Sequence, residues 1–194
     1  MSRIIAGSHR GHRLTMPASR ATRPTSDRVR EAAFGLIASW LGVAGDAGSQ
    51  LAGLAFLDLY AGSGAVGLEA ASRGAARVVC VERDRRAGEI ARSNAANLGL
   101  DVRVSTQDVE RFLAGPAEGQ FDVVWLDPPY DLDNSTIAEV LTSIIERSWL
   151  APEGLLVVER SSRTAPFDWP PGLGEPWNRG YGETTLHFAP LGAP

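Results

Sequence analysis

The sequence predicts an α/β fold in which helices cover both faces of a mostly parallel β-sheet. From residue 54 onward, short apolar runs rich in β-branched residues alternate with longer segments whose apolar residues recur at helical spacing. Acidic residues stand at the ends of several runs, and glycine ends two of the helical segments, at positions 74 and 99. A chain of 194 residues, 44% of them hydrophobic, suits one such domain.

The predicted elements follow one another in a regular order. The first helix begins at a capping hydroxyl, that of Thr25 or Ser26, and ends near Trp40. We expect a loop over residues 42–53, further helices over residues 65–73, 85–98 and 135–149, and strands over residues 54–59, 77–81, 102–105, 121–126, 155–158 and 184–188, the last of them antiparallel.

The N-terminal segment has a composition of its own. Residues 3–6 and 13–16 are short apolar runs around Gly7-Ser8-His9-Arg10-Gly11-His12, a pattern typical of a β-hairpin with a basic tip. The first 30 residues contain seven arginines and one acid, whereas the rest contains twelve arginines and 22 acids. We therefore divide the chain into a basic arm, residues 1–24, and a main domain, residues 25–194, and expect the arm to bind nucleic-acid phosphates. The candidate contacts are Arg3, His9, Arg10, Arg13, Arg20 and Arg23.

Four acidic residues lie at or just past the ends of predicted strands. They are Asp58, Glu82, Asp108 and Asp127. The carboxyl ends of parallel strands meet at one edge of the sheet, and ligands bind outside that edge. Acids also favour turns and helix caps. Four of them beside a glycine-rich turn nevertheless indicate a ligand site.

The glycine-rich turn Asp58-Leu59-Tyr60-Ala61-Gly62-Ser63-Gly64-Ala65-Val66-Gly67 joins a strand to a helix. Its glycines also fit the G-x-G-x-x-G pattern of dinucleotide sites, but a carboxylate beside a pyrophosphate is unfavourable. S-adenosylmethionine carries a cationic amino group, a sulfonium and no phosphate, and therefore suits the turn better. Glu82 can accept hydrogen bonds from ribose hydroxyls, and Asp108 from the adenine amino group. The candidate cofactor-binding residues are Asp58, Tyr60, Ala61, Gly62, Ser63, Gly64, Glu82, Arg83, Asp108 and Val109.

The motif Asp127-Pro128-Pro129-Tyr130 directly follows the apolar run 121–126. Its prolines stiffen the loop and have no N–H groups. The exocyclic amine of a base is a weak nucleophile, and Asp127 with the Pro128 carbonyl can accept its two N–H bonds and align its nitrogen with a methyl donor. Tyr130 can stack on the base, which must be unpaired or flipped out. The candidate catalytic residues are Asp127, Pro128, Pro129 and Tyr130.

Residues 58–64 and 127–130 together resemble class I S-adenosylmethionine-dependent methyltransferases that act on amino groups of bases. Residues 3–7, 22–32 and 181–186 are similar to the RsmD family within that class. The resemblance implies a Rossmann-like, seven-stranded sheet and methylation of N2 of guanine 966 in 16S rRNA, on the assembled or assembling small subunit. It also implies that Thr25, a further candidate cofactor-binding residue, and Asp27 lie near the methionine end of the cofactor.

Three other functions stay open on the residues alone. They are a DNA or RNA methyltransferase acting on adenine N6 or cytosine N4, an NAD-dependent oxidoreductase, and a non-catalytic RNA-binding factor for ribosome assembly. The single cysteine, Cys80, excludes an internal disulfide and a cysteine-based zinc cluster, and we expect no metal. The sequence has neither a membrane-spanning apolar run nor a signal-peptide pattern, so we expect a cytoplasmic protein, and we expect a monomer.

Overall fold

The structure is a computed structural model that describes residues 2–17, 25–43, 48–117, 119–129 and 131–192. In chain order its elements are β1 (Ser2–Arg3), β2 (Arg13–Leu14), α1 (Asp27–Trp40), β3 (Ala55–Leu59), α2 (Ala65–Ser72), β4 (Arg77–Val81), α3 (Arg85–Leu98), β5 (Arg103–Ser105), α4 (Val109–Ala114), β6 (Phe121–Leu126), α5 (Asn134–Glu146), β7 (Leu150–Ser161), β8 (Trp177–Tyr181) and β9 (Thr184–Pro190).

The predicted seven-stranded, mostly parallel sheet is confirmed, with the strand order β5-β4-β3-β6-β7-β9-β8. The first five strands in this order are parallel, whereas β9 is antiparallel to both of its neighbours. Helices α1 and α2 pack on one face, and α4 and α5 on the other. After β5 the chain returns to the opposite side of β3, and this switch of direction opens the crevice where such sheets bind ligands.

Besides β7, which covers Leu150–Ser161 rather than residues 155–158, three elements differ from the sequence-based prediction. Helix α5 ends at Glu146 rather than near residue 149, because Ser148 adopts a left-handed turn (φ 56°) and β7 already begins at Leu150. Helix α4 was not predicted, since its six residues are too few to show a helical period. Strand β8 was also missed, because it is an exposed edge strand without apolar alternation. No helix in the described part of the chain is long and apolar enough to cross a membrane.

The predicted N-terminal hairpin is confirmed, with two-residue strands β1 and β2 in antiparallel pairing. It is fixed to α2 by the carboxylate of Glu69, which accepts hydrogen bonds from the backbone amides of Ile5 (2.8 Å) and Ala6 (3.0 Å). Arg30, which the charge count places in the basic segment, is fully buried and donates to the backbone oxygen of Arg3 at 2.7 Å. Its charge therefore contributes to holding the hairpin and is not presented to solvent.

Gly7 occupies the tightest point between hairpin and helix. Its φ is +85°, and a Cβ there would lie 1.9 Å from the backbone oxygen of Ser72. Gly11 has nearly the same φ, +86°, but open space around it. We expect Gly11→Ala to lower the free energy of unfolding by about 1–2 kcal/mol through backbone strain alone. Gly7→Ala should lower it by about 1–3 kcal/mol more, because of the added overlap. Equal losses in denaturant unfolding would contradict this packing.

Candidate functional site

The glycine-rich turn leaves β3 in a left-handed backbone conformation that suits glycine. Gly62 (φ 55°) and Gly64 (φ 78°) are both left-handed, and the turn is closed by hydrogen bonds from Ala61 N to Val81 O and from Gly64 N to Ala61 O. Gly67 serves a different purpose, since a Cβ there would lie 2.4 Å from Cys80 Sγ. The third glycine thus permits close packing of α2 on β4, as in other Rossmann-like turns.

Asp58 lies beneath this turn. It is 1% exposed, and its Oδ2 accepts a hydrogen bond from Gly67 N at 2.8 Å. Burial raises its pKa to about 7, and the negative charges of Glu82 and Glu159 act in the same direction. The carboxylate therefore holds the turn against α2. Its pairing with a cationic amino group stays a prediction.

Two other residues of the turn point away from its open side. Ser63 is buried, and its hydroxyl donates to Met16 Sδ at 3.3 Å. Tyr60 packs against the core cluster that α4 and α5 cover, and burial raises its pKa. Its hydroxyl has no hydrogen-bond partner in the described part of the chain. The predicted cofactor contacts of Tyr60 and Ser63 stay predictions, and both side chains are already packed in the protein.

Glu82 links the end of β4 to the turn. Its Oε2 accepts from Gly62 N at 2.8 Å and its Oε1 from Asp84 N at 2.7 Å. Each oxygen keeps a second lone pair, so the side chain can still accept from two hydroxyl groups of a ligand. Arg83, the next residue, is exposed.

Asp108 stands at the N-cap position of α4, followed by the buried Val109. Its side chain is exposed and makes no capping hydrogen bond. The first amides of a helix have no partners within the helix. An acceptor carboxylate and a donor amide therefore lie side by side past β5, as the predicted adenine contact requires.

Asp127 leaves β6 directly beside the turn. Leu126 is in register with Leu59, and Asp127 N donates to Leu59 O at 3.3 Å. Asp127 is partly exposed as a residue, and burial of its carboxyl group together with the nearby Glu159 and Asp58 raises the pKa of that group. The two sequence motifs, one on each of these neighbouring strands, therefore meet at the same height of the sheet edge.

The loop that follows Asp127 is held by Arg160. This buried guanidinium donates to Pro129 O at 3.2 Å and to Leu132 O at 3.0 Å. Pro128 is buried, whereas Tyr130 lies outside the described residues, so its predicted stacking role stays a prediction. The carbonyl of Pro129 is occupied by Arg160, which leaves the Pro128 carbonyl as the predicted acceptor for a base.

Sequence reasoning missed two residues at the end of β7. Glu159, 6% exposed, lies with Oε2 2.6 Å from the hydroxyl of Thr25, and Arg160 follows it in the chain. Glu159 comes directly after the predicted strand 155–158, as the other site acids follow theirs, and that signal could have found it. Ser26 caps α1 by accepting from Val29 N, so the hydroxyl of Thr25 is available to the carboxylates.

The predicted RNA-binding side chains of the hairpin are mostly at the surface. Arg10 and Arg13 are exposed, and Arg3 is exposed while paired with Asp27 at 3.2 Å. The Nδ1 of His9 hydrogen-bonds to the Ser8 hydroxyl. Arg20 and Arg23 lie outside the described residues, and within the described ranges no group of histidine, cysteine or acidic side chains could hold a metal ion.

The segment after β2 lies against the glycine-rich turn. Asn94 of α3 donates from Nδ2 both to Thr15 O (3.0 Å) and to Ser63 O (3.1 Å). The same side chain accepts from Thr15 N at 2.9 Å. Thr15, two residues after the exposed Arg13, is therefore fixed beside the turn. The tip of the hairpin lies at the other end of α2, where Ser8 N and His9 N donate to Ser72.

Comparison with known proteins finds relatives over nearly the whole chain. The family described as Conserved hypothetical protein 95 matches residues 2–190. The chain is 36% identical over 172 residues to Ribosomal RNA small subunit methyltransferase D of Escherichia coli (strain K12), which covers 86% of this chain and 80% of the relative. It is 35% identical over 162 residues to the protein of the same name from Haemophilus influenzae, covering 81% and 77%.

A solved structure supports the same relationship. The Escherichia coli protein described as "Putative methyltransferase yhhF" superimposes with a TM-score of 0.82 at 30% sequence identity. The match covers 99% of this chain and 98% of the other. It therefore includes the N-terminal hairpin as well as the sheet.

Proposed function

Because the chain belongs to the Conserved hypothetical protein 95 family, the RsmD family of ribosomal RNA methyltransferases, we propose that it methylates N2 of guanine 966 in 16S rRNA, with S-adenosylmethionine as the donor. The enzyme is a methyltransferase, so the alternative that it is an NAD-dependent oxidoreductase is wrong. Its substrate in this proposal is the assembled or assembling small subunit. We place the protein in the cytoplasm with that subunit, as a monomer.

One observation carries the proposal. Asp127, a partly exposed residue, stands one residue past the register pair Leu59–Leu126, and Tyr60 of the glycine-rich turn stands one residue past the same pair. An acceptor for an amine therefore lies beside the loop that would hold the methyl donor. Reaction between two bound groups requires that proximity.

The residues at this edge fit S-adenosylmethionine. A Cβ added at Gly62 would meet nothing within 4 Å, so ligand atoms can approach the backbone there. Glu82 would hold the ribose hydroxyls, and Asp108 with the Val109 amide would hold the adenine. The bound cofactor supplies a methyl group activated by its positive sulfur. The carboxylates around the turn favour such a cationic ligand over a pyrophosphate.

The catalytic contribution of the chain is to position the amine. Asp127 and the Pro128 carbonyl accept the two N–H bonds of the guanine amino group, which turns its lone pair towards the methyl carbon. The methyl group would pass from the sulfur of the bound cofactor to this nitrogen, and the nitrogen would then give one of its protons to the Asp127 carboxylate. Asp127 needs no unusual basicity, because the proton becomes acidic only after nitrogen is methylated.

The test is methyl transfer from radiolabelled S-adenosylmethionine to small subunits that lack the modification, followed by digestion to nucleosides. We expect label in N2-methylguanosine. Label in N6-methyladenosine or N4-methylcytidine, on RNA or DNA, would support methyl transfer to an amino group but show that the substrate is a different base. If cofactor binds but subunits, bare RNA and DNA all stay unlabelled, the protein is a non-catalytic assembly factor.

Replacement of Glu82 tests the cofactor site. We expect Glu82→Ala to weaken binding of S-adenosylhomocysteine by about 10–100-fold, because hydrogen bonds to a charged group contribute about 1.5–3 kcal/mol. Calorimetric titration measures this affinity, and Glu89→Ala, an exposed acid of α3, is the matched control. Unchanged affinity in Glu82→Ala, with unchanged melting temperature, would place the ribose elsewhere.

A further inference from the structure

Three side chains from distant parts of the sequence meet beside Asp127. The hydroxyl oxygen of Thr25 lies 2.6 Å from Glu159 Oε2 and 3.5 Å from Asp127 Oδ2. A hydroxyl group has one proton and can donate it to one acceptor only. Both contacts can be hydrogen bonds only if one of the two carboxyl groups carries a proton of its own.

The surroundings decide which carboxyl group that is. Glu159 faces the acids Asp58 on β3 and Asp127 after β6, and its strand partner on β9 is the apolar Leu186. The cation that acts on it is Arg30 of α1, whose hydrogen bonds go to Arg3 O, Ala65 O and Asp27. Glu159 therefore has no directly bonded cation among the described residues.

Burial raises the pKa of both carboxyl groups, and the exposure of the two residues and their nearest cations tell them apart. The side chain of Glu159 is buried, whereas Asp127 is partly exposed and has the guanidinium of Arg160 on its other side. Desolvation raises the pKa of Glu159 to about 7.

On the basis of the proposed function, we propose that Glu159 and Thr25 are positioning residues for Asp127. Glu159 donates its proton to the hydroxyl oxygen of Thr25, and Thr25 donates its own proton to Asp127 Oδ2. This order fixes the rotation of the Asp127 carboxylate, keeps it ionised, and leaves its other oxygen for the amine of the target base. If Glu159 ionises, Thr25 turns its proton to Glu159, and Asp127 loses its donor and gains a neighbouring negative charge.

The kinetic test compares variants that keep or remove each donor. Glu159→Gln keeps an N–H donor but cannot titrate, and Thr25→Ser keeps the hydroxyl. We expect Glu159→Gln and Thr25→Ser to retain the single-turnover rate of the wild type at pH 6.5 within about threefold. We expect Thr25→Val and Glu159→Leu to lose about tenfold, the effect of one hydrogen bond, and we expect Glu159→Leu to leave the affinity for S-adenosylhomocysteine unchanged. Glu146→Gln, an exposed acid of α5, is the control.

The pH profile separates positioning from a purely structural role. In the wild type the single-turnover rate should fall as pH rises above the range in which Glu159 carries its proton, and Glu159→Gln should remove this fall. The proposal is overturned if Glu159→Gln is as slow as Glu159→Leu, or if it keeps the alkaline fall of the wild type.

A readout without catalysis distinguishes failure of this proposal from failure of the proposed function. Infrared difference spectra of the free protein between pH 5 and 9 should show protonated carboxyl bands, one of which disappears in Glu159→Gln. A second such band, from Asp58, should persist there and disappear in Asp58→Asn. If no band depends on Glu159, the proton order is wrong, whatever the enzyme methylates.

Discussion

Replacing Asp127 with alanine is expected to lower the single-turnover rate of methyl transfer by about 10²–10⁴-fold, the usual range for one positioned proton acceptor. The reason is geometric. Asp127 follows β6 at the level of the glycine-rich turn, and its carboxylate is the side-chain acceptor there. Its replacement leaves only a backbone carbonyl to align the amine. Cofactor affinity should change by less than about threefold, because Asp127 is not one of the proposed cofactor contacts.

The effect of Asp127 on stability distinguishes a loss of catalysis from a loss of folding. A carboxyl group whose pKa is raised on folding contributes stability below its unfolded pKa and loses that contribution as pH rises through its folded pKa. The pKa of Asp127 is raised, so its ionised form disfavours the folded state. Asp127→Asn should therefore be inactive or nearly so and yet unfold at an equal or higher denaturant concentration at pH 8.

The matched control lies in the same loop. Asp131 is an exposed carboxylate four residues further along, and Asp131→Ala should keep the wild-type rate. A rate loss in Asp127→Ala that is accompanied by unfolding, or that Asp131→Ala reproduces, would contradict a catalytic role. Retained activity in Asp127→Ala would move the amine-binding site away from β6.

The sequence was sufficient for the parts of the site that are local in the chain. Asp58, Glu82 and Asp127 each follow a run of apolar residues, and parallel strands bring such ends together whatever the details of packing. The glycines at 62 and 64 are likewise explained by the backbone of one turn. The position of these residues in the fold could therefore be predicted from the local sequence pattern alone.

The parts that the sequence did not predict depend on contacts between distant segments. The sequence of the hairpin does not indicate which helix holds it, because the contact is made by a single carboxylate 64 positions away. Arg30 looks like one more surface arginine until α2 and the hairpin enclose it. The partnership of Thr25 with Glu159 spans 134 positions, and no local pattern encodes it.

Removing Glu69 is expected to have the largest effect on stability, a loss of about 3–5 kcal/mol in the free energy of unfolding for Glu69→Ala. Glu69 is 0% exposed and pairs with the buried Arg73, whose Nε lies 2.8 Å from Oε1. The substitution leaves a buried guanidinium without its carboxylate and two hairpin amides, those of Ile5 and Ala6, without acceptors. Denaturant unfolding at constant pH measures the loss, and Glu89→Ala on the exposed face of α3 is the control.

A double substitution separates the charge from the anchoring of the hairpin. Glu69→Leu with Arg73→Met removes both buried charges, so it should cost less than the sum of the two single changes. The amides of Ile5 and Ala6 stay without an acceptor in the double variant, and the exposed Arg10 and Arg13 of the hairpin lose the position on α2 that Glu69 fixes. We therefore expect weaker binding of the small subunit, a higher KM, and unchanged affinity for S-adenosylhomocysteine. If stability recovers and the KM for the subunit stays at the wild-type value, the hairpin does not depend on Glu69 to present its arginines to RNA.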